Sequence, residues 1–133
     1  MNNFIAFEGL DGSGKTTQIK LFAASLKKAK KDYFLTREPG GTKLSEKVRE
    51  ILVKKNKENF SSITELLLIY AARHEHLKKI IIPNLKKKKI VLCDRFFYST
   101  YCYQIFANNL PMKYLNYLHK NYGFDLLPDI NIL

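Results

Sequence analysis

The stretch EGLDGSGKTT, Glu8 to Thr17, decides the fold of this chain. Gly9 to Thr16 fits G-x-x-x-x-G-K-[ST] at every fixed position. Glycines let several backbone N–H groups converge on one anion without Cβ interference. A helix opening behind them adds the partial positive charge of its N-terminus. Lys15 would reach the β- and γ-phosphates of a nucleotide, and the Thr16 hydroxyl would ligate Mg2+. The candidate ATP-binding residues are therefore Gly9, Leu10, Asp11, Gly12, Ser13, Gly14, Lys15, Thr16 and Thr17. Asp11 is the odd member, because a carboxylate has the wrong charge for a phosphate cradle. The competing reading is a glycine turn with only a structural role. At an average glycine usage of about 7%, chance gives the motif in on the order of one percent of such chains.

The flanking sequence supplies the context that the cradle requires. FIAF, Phe4 to Phe7, reads as a buried strand running into the loop. From about Lys15 to Lys30 the apolar positions Ile19, Leu21, Phe22 and Leu26 keep helical spacing. YFLT, Tyr33 to Thr36, is a second strand, and REPGGT is a loop because Pro39 and two glycines bar regular structure. A helix follows from about Lys43 to Val53. SITE, Ser62 to Glu65, matches a capping box and predicts a long helix to about Ile82, stopped by Pro83. IVLC, Ile90 to Cys93, is a third strand. One helix starts near Tyr98, and another runs from about Pro111 to Tyr122, ended by Gly123. INIL begins a further strand. This alternation predicts an α/β fold of the P-loop NTPase type, a parallel sheet with helices on both faces. One domain, residues 1–133, is expected. A final strand with nothing after it predicts a fragment of a longer protein, with the fold incomplete at its C-terminus.

Composition narrows the classes. Of the 133 residues, 46% are hydrophobic and 13% aromatic, which supports a core and argues against disorder. No apolar run approaches the roughly 18 residues of a membrane helix. The N-terminus lacks a secretory pattern, and Cys93 and Cys102 form no metal or redox spacing, so a cytoplasmic protein with reduced thiols is expected. The net charge of +11 fits nucleic-acid binding, a field for anionic nucleotides, or a lysine-rich solvated surface. The last is preferred, because KKAKK and KKKK fall at expected turns without interleaved aromatics. Nineteen lysines stand against four arginines, Arg37, Arg49, Arg73 and Arg95. A chain this free with lysine is expected to keep arginine where a planar, forked donor is needed.

Two neighbours close the third strand. Asp94 would emerge beside the phosphate loop and hold Mg2+ directly or through water, the alternatives being a helix cap or an ion pair with Arg95. Arg95 is placed to clamp an acceptor phosphate. Arg73 is as consistent with a solvated helical arginine as with a site residue, and Arg37 and Arg49 lean toward surface roles. His74 and His76 do not share a helix face and His119 stands alone, so none is expected to ligate metal.

Together, FEGLDGSGKTTQ, TREPGGT, LLIYAARHEH, IIPNL, VLCDRFFYSTYCYQ and PDINIL resemble the thymidylate kinases over nearly the whole chain. The resemblance implies a nucleoside monophosphate kinase-like fold. Its expected activity is transfer of the ATP γ-phosphoryl group to dTMP with Mg2+, by a homodimer without nucleic-acid or membrane partners. Lys15, Asp94 and Arg95 become the expected catalytic residues, with Thr16 and Asp94 on the metal. By position, Asp11 faces the acceptor sugar, Glu38 and Arg49 line the monophosphate side with Arg37 in the same loop, and Arg95 grips the phosphate. Arg73 bonds a thymine carbonyl. Ser99, Thr100 and Gln104 surround the base, and Tyr103 crowds the sugar 2' position.

Three departures stand against the family pattern. Ile69 replaces the usual base-stacking phenylalanine, with Tyr70 directed elsewhere on the helix. IFANNLP replaces a glycine-rich stretch with arginine. The phosphate loop carries no arginine, which resembles the bacterial type, where a mobile lid supplies that charge. The lid and the last strand and helices are expected beyond Leu133, and residues 1–133 alone are expected to turn over little. The alternatives are a P-loop kinase for another nucleotide or nucleoside acceptor, and a non-catalytic basic module that binds nucleic acid.

Overall fold

Short apolar segments ending at polar turns build the sheet. The computed structural model describes residues 3–54 and 59–133. Its strands are β1 (Phe4–Phe7), β2 (Tyr33–Arg37), β3 (Ile90–Asp94) and β4 (Ile130–Ile132), in the order β2-β3-β1-β4. All pairings are parallel, with Phe4 opposite Val91, Tyr33 opposite Ile90 and Ile5 opposite Ile130. Side chains alternate across the sheet. Ile5, Phe7 and Leu92 face α1 (Lys15–Lys28), where they meet Ile19 and Ala23. Phe4, Ala6, Val91 and Cys93 face the other way, onto Leu66, Tyr70, Leu77, Ile81, Phe96 and Leu115. Helices thus cover both faces. Each fully buried Phe or Leu stabilises the fold by roughly 1.5–3 kcal/mol.

The remaining helices are α2 (Lys43–Val53), α3 (Ser62–His76), α4 (Ile82–Lys86), α5 (Phe97–Thr100) and α6 (Met112–Tyr122). Two sequence expectations need correction. The cap of α3 is Ser61, whose Oγ accepts from Thr64 N at 3.2 Å, and Glu65 turns instead to Gln104, 3.2 Å from its Nε2. Pro83 does not stop the helix. A π-helical turn over Leu77–Ile81 leads directly into α4, whose first turn contains Pro83. That wide turn lets a residue without an N–H pass, and Asn84 Nδ2 donates to Ile80 O at 2.9 Å. The helix expected near Tyr98 is α5, which begins at Phe97 and widens into a π-helical turn over Tyr101–Phe106. The lysine runs do fall at turns, with Lys30 and Lys88 at φ 52° and 59°. Cys93 and Cys102 are free thiols.

Candidate active site

The phosphate loop leaves β1 at its carboxyl end and opens α1. Gly12 and Gly14 have φ of 79° and 88°, a left-handed backbone that side chains rarely adopt. Gly14 caps α1 without any side-chain hydrogen bond, so the first-turn N–H groups face the cradle free of a capping partner. A cavity of about 330 Å3 lies there, lined by Asp11, Gly12, Gly14, Lys15, Thr16 and Thr17. Parallel register places Asp94 opposite Phe7, at the mouth of this loop. Asp94 therefore meets Lys15, Oδ1 to Nζ 2.8 Å, rather than its neighbour Arg95. That buried Oδ1 has no aligned hydrogen bond among the described residues. The Thr16 hydroxyl and the Asp94 carboxylate are hard oxygen donors of the kind that suits Mg2+, which keeps much of its shell for water and phosphate. No group of three or more His, Cys, Asp and Glu able to hold a metal occurs among the described residues.

Beside the loop lies a second cavity of about 450 Å3. Asp11, Glu38, Arg49, Ile69, Arg73, Arg95, Ser99, Thr100, Tyr103 and Gln104 all line it, with Pro39, Glu65 and Phe96. A buried polar chain runs behind its inner wall. Thr36 Oγ1 lies 2.6 Å from His76 Nε2, and His76 Nδ1 lies 3.0 Å from Glu38 Oε1. Arg73 Nε donates to Glu38 Oε2 at 2.7 Å, and its Nη2 to Thr100 Oγ1 at 2.8 Å. The guanidinium carbon sits 4.6 Å from the Phe96 ring centre and 4.9 Å from that of Tyr70. Burial pushes the Glu38 carboxyl up, but the Arg73 charge and the His76 hydrogen bond outweigh it and hold it below the ordinary carboxylate value. Burial pulls Arg73 down, and the Glu38 charge more than offsets this. Arg73 Nη1 is buried and has no partner among the described residues.

The rim is held differently. Arg95 has φ 69°, and its N–H donates to Phe7 O at 2.8 Å, which fixes it against the end of β1. Its Nη2 donates to Asp11 Oδ1 at 2.7 Å, and the Asp11 side chain is 98% exposed. Its Nη1 donates to Ser99 Oγ at 3.2 Å, and Ser99 Oγ donates in turn to Glu8 Oε2 at 2.5 Å. The Tyr103 ring centre is 5.4 Å from the guanidinium carbon. The acid in the phosphate loop therefore faces the arginine that directly follows β3.

One expected substrate residue stands apart. Arg37 lines a neighbouring groove with Thr16, Ile19 and Leu35 and pairs with Glu46 at 2.9 Å. As the last residue of β2 it shares the α1 side with Leu35, whereas Glu38 turns to α3. Arg49 lines the cavity and donates to Pro39 O at 3.2 Å. Tyr70 points into the core, its hydroxyl 3.2 Å from His119 Nδ1. Sequence reading missed Glu8, whose Oε1 accepts from Phe96 N at 3.0 Å, and His76. A signal for His76 was present, because Arg73 and His76 are three apart and share a helix face.

A family model described as thymidylate kinase matches residues 7–133. The thymidylate kinase of Wolbachia pipientis wMel is 50% identical over 119 residues, 88% of this chain and 59% of that one. That of Acholeplasma laidlawii is 44% identical over 127 residues, 96% of this chain and 62% of that one. The crystal structure of thymidylate kinase from Ehrlichia chaffeensis superposes with a TM-score of 0.87 at 45% identity, covering 98% of this chain and 70% of that one. The chain thus spans about three fifths of the length of the curated relatives it matches. With the phosphate loop, Asp94, Arg95 and the arginine-lined cavity at the carboxyl ends of one parallel sheet, these matches place the chain in the thymidylate kinase family.

Proposed function

We propose that the protein transfers the γ-phosphoryl group of ATP to dTMP, giving dTDP and ADP. An oxygen of the dTMP phosphate bonds to the γ-phosphorus as the bond to the β–γ bridging oxygen breaks, and the electron pair leaves with ADP. The attacking oxygen is already anionic, so no strong base is required. Rate enhancement comes from positioning and charge neutralisation. Lys15 and the loop N–H groups hold the donor, and Arg95 holds the acceptor phosphate. Mg2+ held by Thr16 and Asp94 would neutralise phosphate charge. Arg73 offers Nη1 to a thymine carbonyl, while Ile69 and Phe96 supply apolar walls. Asp11 turns to the sugar once phosphate replaces it on Arg95. Glu38 acts through Arg73 rather than on the phosphate, and Arg49 completes the charge around the site.

The observation that carries this reading is the cavity beside the phosphate loop. It combines Arg73, whose buried Nη1 has no partner among the described residues, with Arg95, whose guanidinium donates to the exposed Asp11 carboxylate and the Ser99 hydroxyl. The test is an acceptor panel of dTMP, dUMP, dAMP and dGMP with ATP and Mg2+, scored by relative rather than absolute rate. dTMP is expected to lead, and preference for dAMP or dGMP would contradict the assignment. Tight DNA binding at physiological salt without dTMP binding would favour the nucleic-acid reading, which predicts affinity lost steeply between about 50 and 200 mM salt.

We further propose a homodimer, supported by the exposed apolar side chains Leu67 of α3 and Met112, Tyr114 and Tyr117 of α6. Sedimentation at micromolar concentration tests it. A cytoplasmic location is proposed with it, and among the described residues no helix is long and apolar enough to cross a membrane.

A further inference from the structure

We propose that His76 is a positioning residue for base recognition, acting through Glu38 on Arg73. The role exists only if the acceptor cavity takes a nucleotide base, as proposed above. His76 is fully buried and lies outside the residues lining that cavity, so it acts at one remove. The ionised Glu38 carboxylate only accepts hydrogen bonds, so His76 Nδ1 carries a proton and donates to Oε1 at 3.0 Å. In the neutral ring Nε2 must then accept, and the Thr36 hydroxyl donates to it at 2.6 Å. The Glu38 carboxylate thus selects the tautomer, and the Thr36 hydroxyl, able to donate, satisfies the nitrogen left without a proton. One Glu38 oxygen is held by His76, which leaves the other aligned on Arg73 Nε.

A guanidinium is planar, so fixing Nε on Glu38 and Nη2 on Thr100 also fixes the direction of Nη1. That is the buried nitrogen without a partner among the described residues. Gly41 belongs to the same device. It has φ +89°, and a Cβ on it would collide with His76 Cδ2 and Nε2 and with Thr36 Oγ1. The second glycine of REPGGT therefore leaves room for the ring that aligns the arginine.

The test separates the two ring nitrogens. His76→Asn puts an amide nitrogen near Nδ1 and keeps the donor to Glu38. His76→Gln reaches instead toward Thr36 and loses that donor. Affinities for dTMP and for base-free deoxyribose 5-phosphate are measured by calorimetry in each variant. His76→Gln is expected to weaken dTMP by about tenfold or more while the sugar phosphate stays within about twofold. His76→Asn is expected to keep dTMP within about threefold. Equal losses in the two variants, or equal losses for the two ligands, would make the ring purely structural and overturn the proposal. Equal affinity of the unaltered protein for both ligands would remove the base-binding reading itself, and the proposal with it. If neither ring variant folds, Thr36→Val and Thr36→Ser decide the matter. Valine keeps the shape without the donor and is expected to lose dTMP affinity, and serine to restore it. Unchanged dTMP affinity in Thr36→Val would overturn the proposal.

Discussion

Arg73 and Arg95 line one cavity but are held by different means. Arg73 is 2% exposed and fixed by a buried carboxylate, a buried hydroxyl and two aromatic rings. Arg95 stands at the rim and is held by a carboxylate that is 98% exposed. The cost of desolvating Arg73 is met during folding, and its donor is aligned before any ligand arrives. Such a site discriminates, because a ligand without the matching carbonyl leaves a buried N–H unpaired. The Asp11–Arg95 pair is of the surface kind, worth about 0–1 kcal/mol. An incoming phosphate can replace that carboxylate at little cost. The inner arginine is suited to selectivity and the rim arginine to exchange.

The largest expected effect breaks the inner half. Arg73→Ala leaves the Glu38 charge buried and uncompensated, and should lower unfolding free energy by about 3–5 kcal/mol in a urea titration. Arg95→Ala should do the reverse. Its stability change should stay within about 1 kcal/mol. Its dTMP affinity should fall about tenfold to a hundredfold, the worth of a charged hydrogen bond. Similar stability losses in both variants would erase the distinction between the two arginines.

A milder probe of the inner half is pH. Burial first, and then the Arg73 charge, hold His119 below its ordinary value of 6.5. The unfolded chain therefore binds a proton more readily than the folded one. Stability should be intact above about pH 6.5 and decline as pH falls below it. An NMR titration of the His119 ring should give a midpoint below that of free histidine. The smallest effect belongs to Asp11→Asn, with stability unchanged within about 1 kcal/mol. Inorganic phosphate should compete better for Arg95 in that variant, read by equilibrium dialysis.

The rim was more legible in the sequence than the inner wall. Gly9 to Thr16 is a contiguous motif, and the strand ending at Asp94 lies close to it by the logic of parallel sheets, so Lys15, Asp94 and Arg95 could be placed together. The first three strands were readable because each is an apolar run cut off by turn or loop residues. The partners of Glu38 were not readable, because Arg73 and His76 lie 35 and 38 positions away and meet it only after α3 docks beside β2. Scarcity of arginine singled out four residues without placing them: Arg49, Arg73 and Arg95 line the cavity, whereas Arg37 falls on the other side of the strand. Pro83 misled because propensity treats proline as a stop, whereas a widened turn ahead of it accommodates the ring.

The most direct measurement is a crystal structure of the protein with dTMP. Arg73 Nη1 should lie about 2.7–3.2 Å from a thymine carbonyl, with its bonds to Glu38 and Thr100 unmoved and Arg95 carrying phosphate in place of Asp11. A base bound outside the cavity, or an Arg73 that leaves Glu38 to reach it, would contradict the division between a prealigned inner arginine and an exchangeable one at the rim.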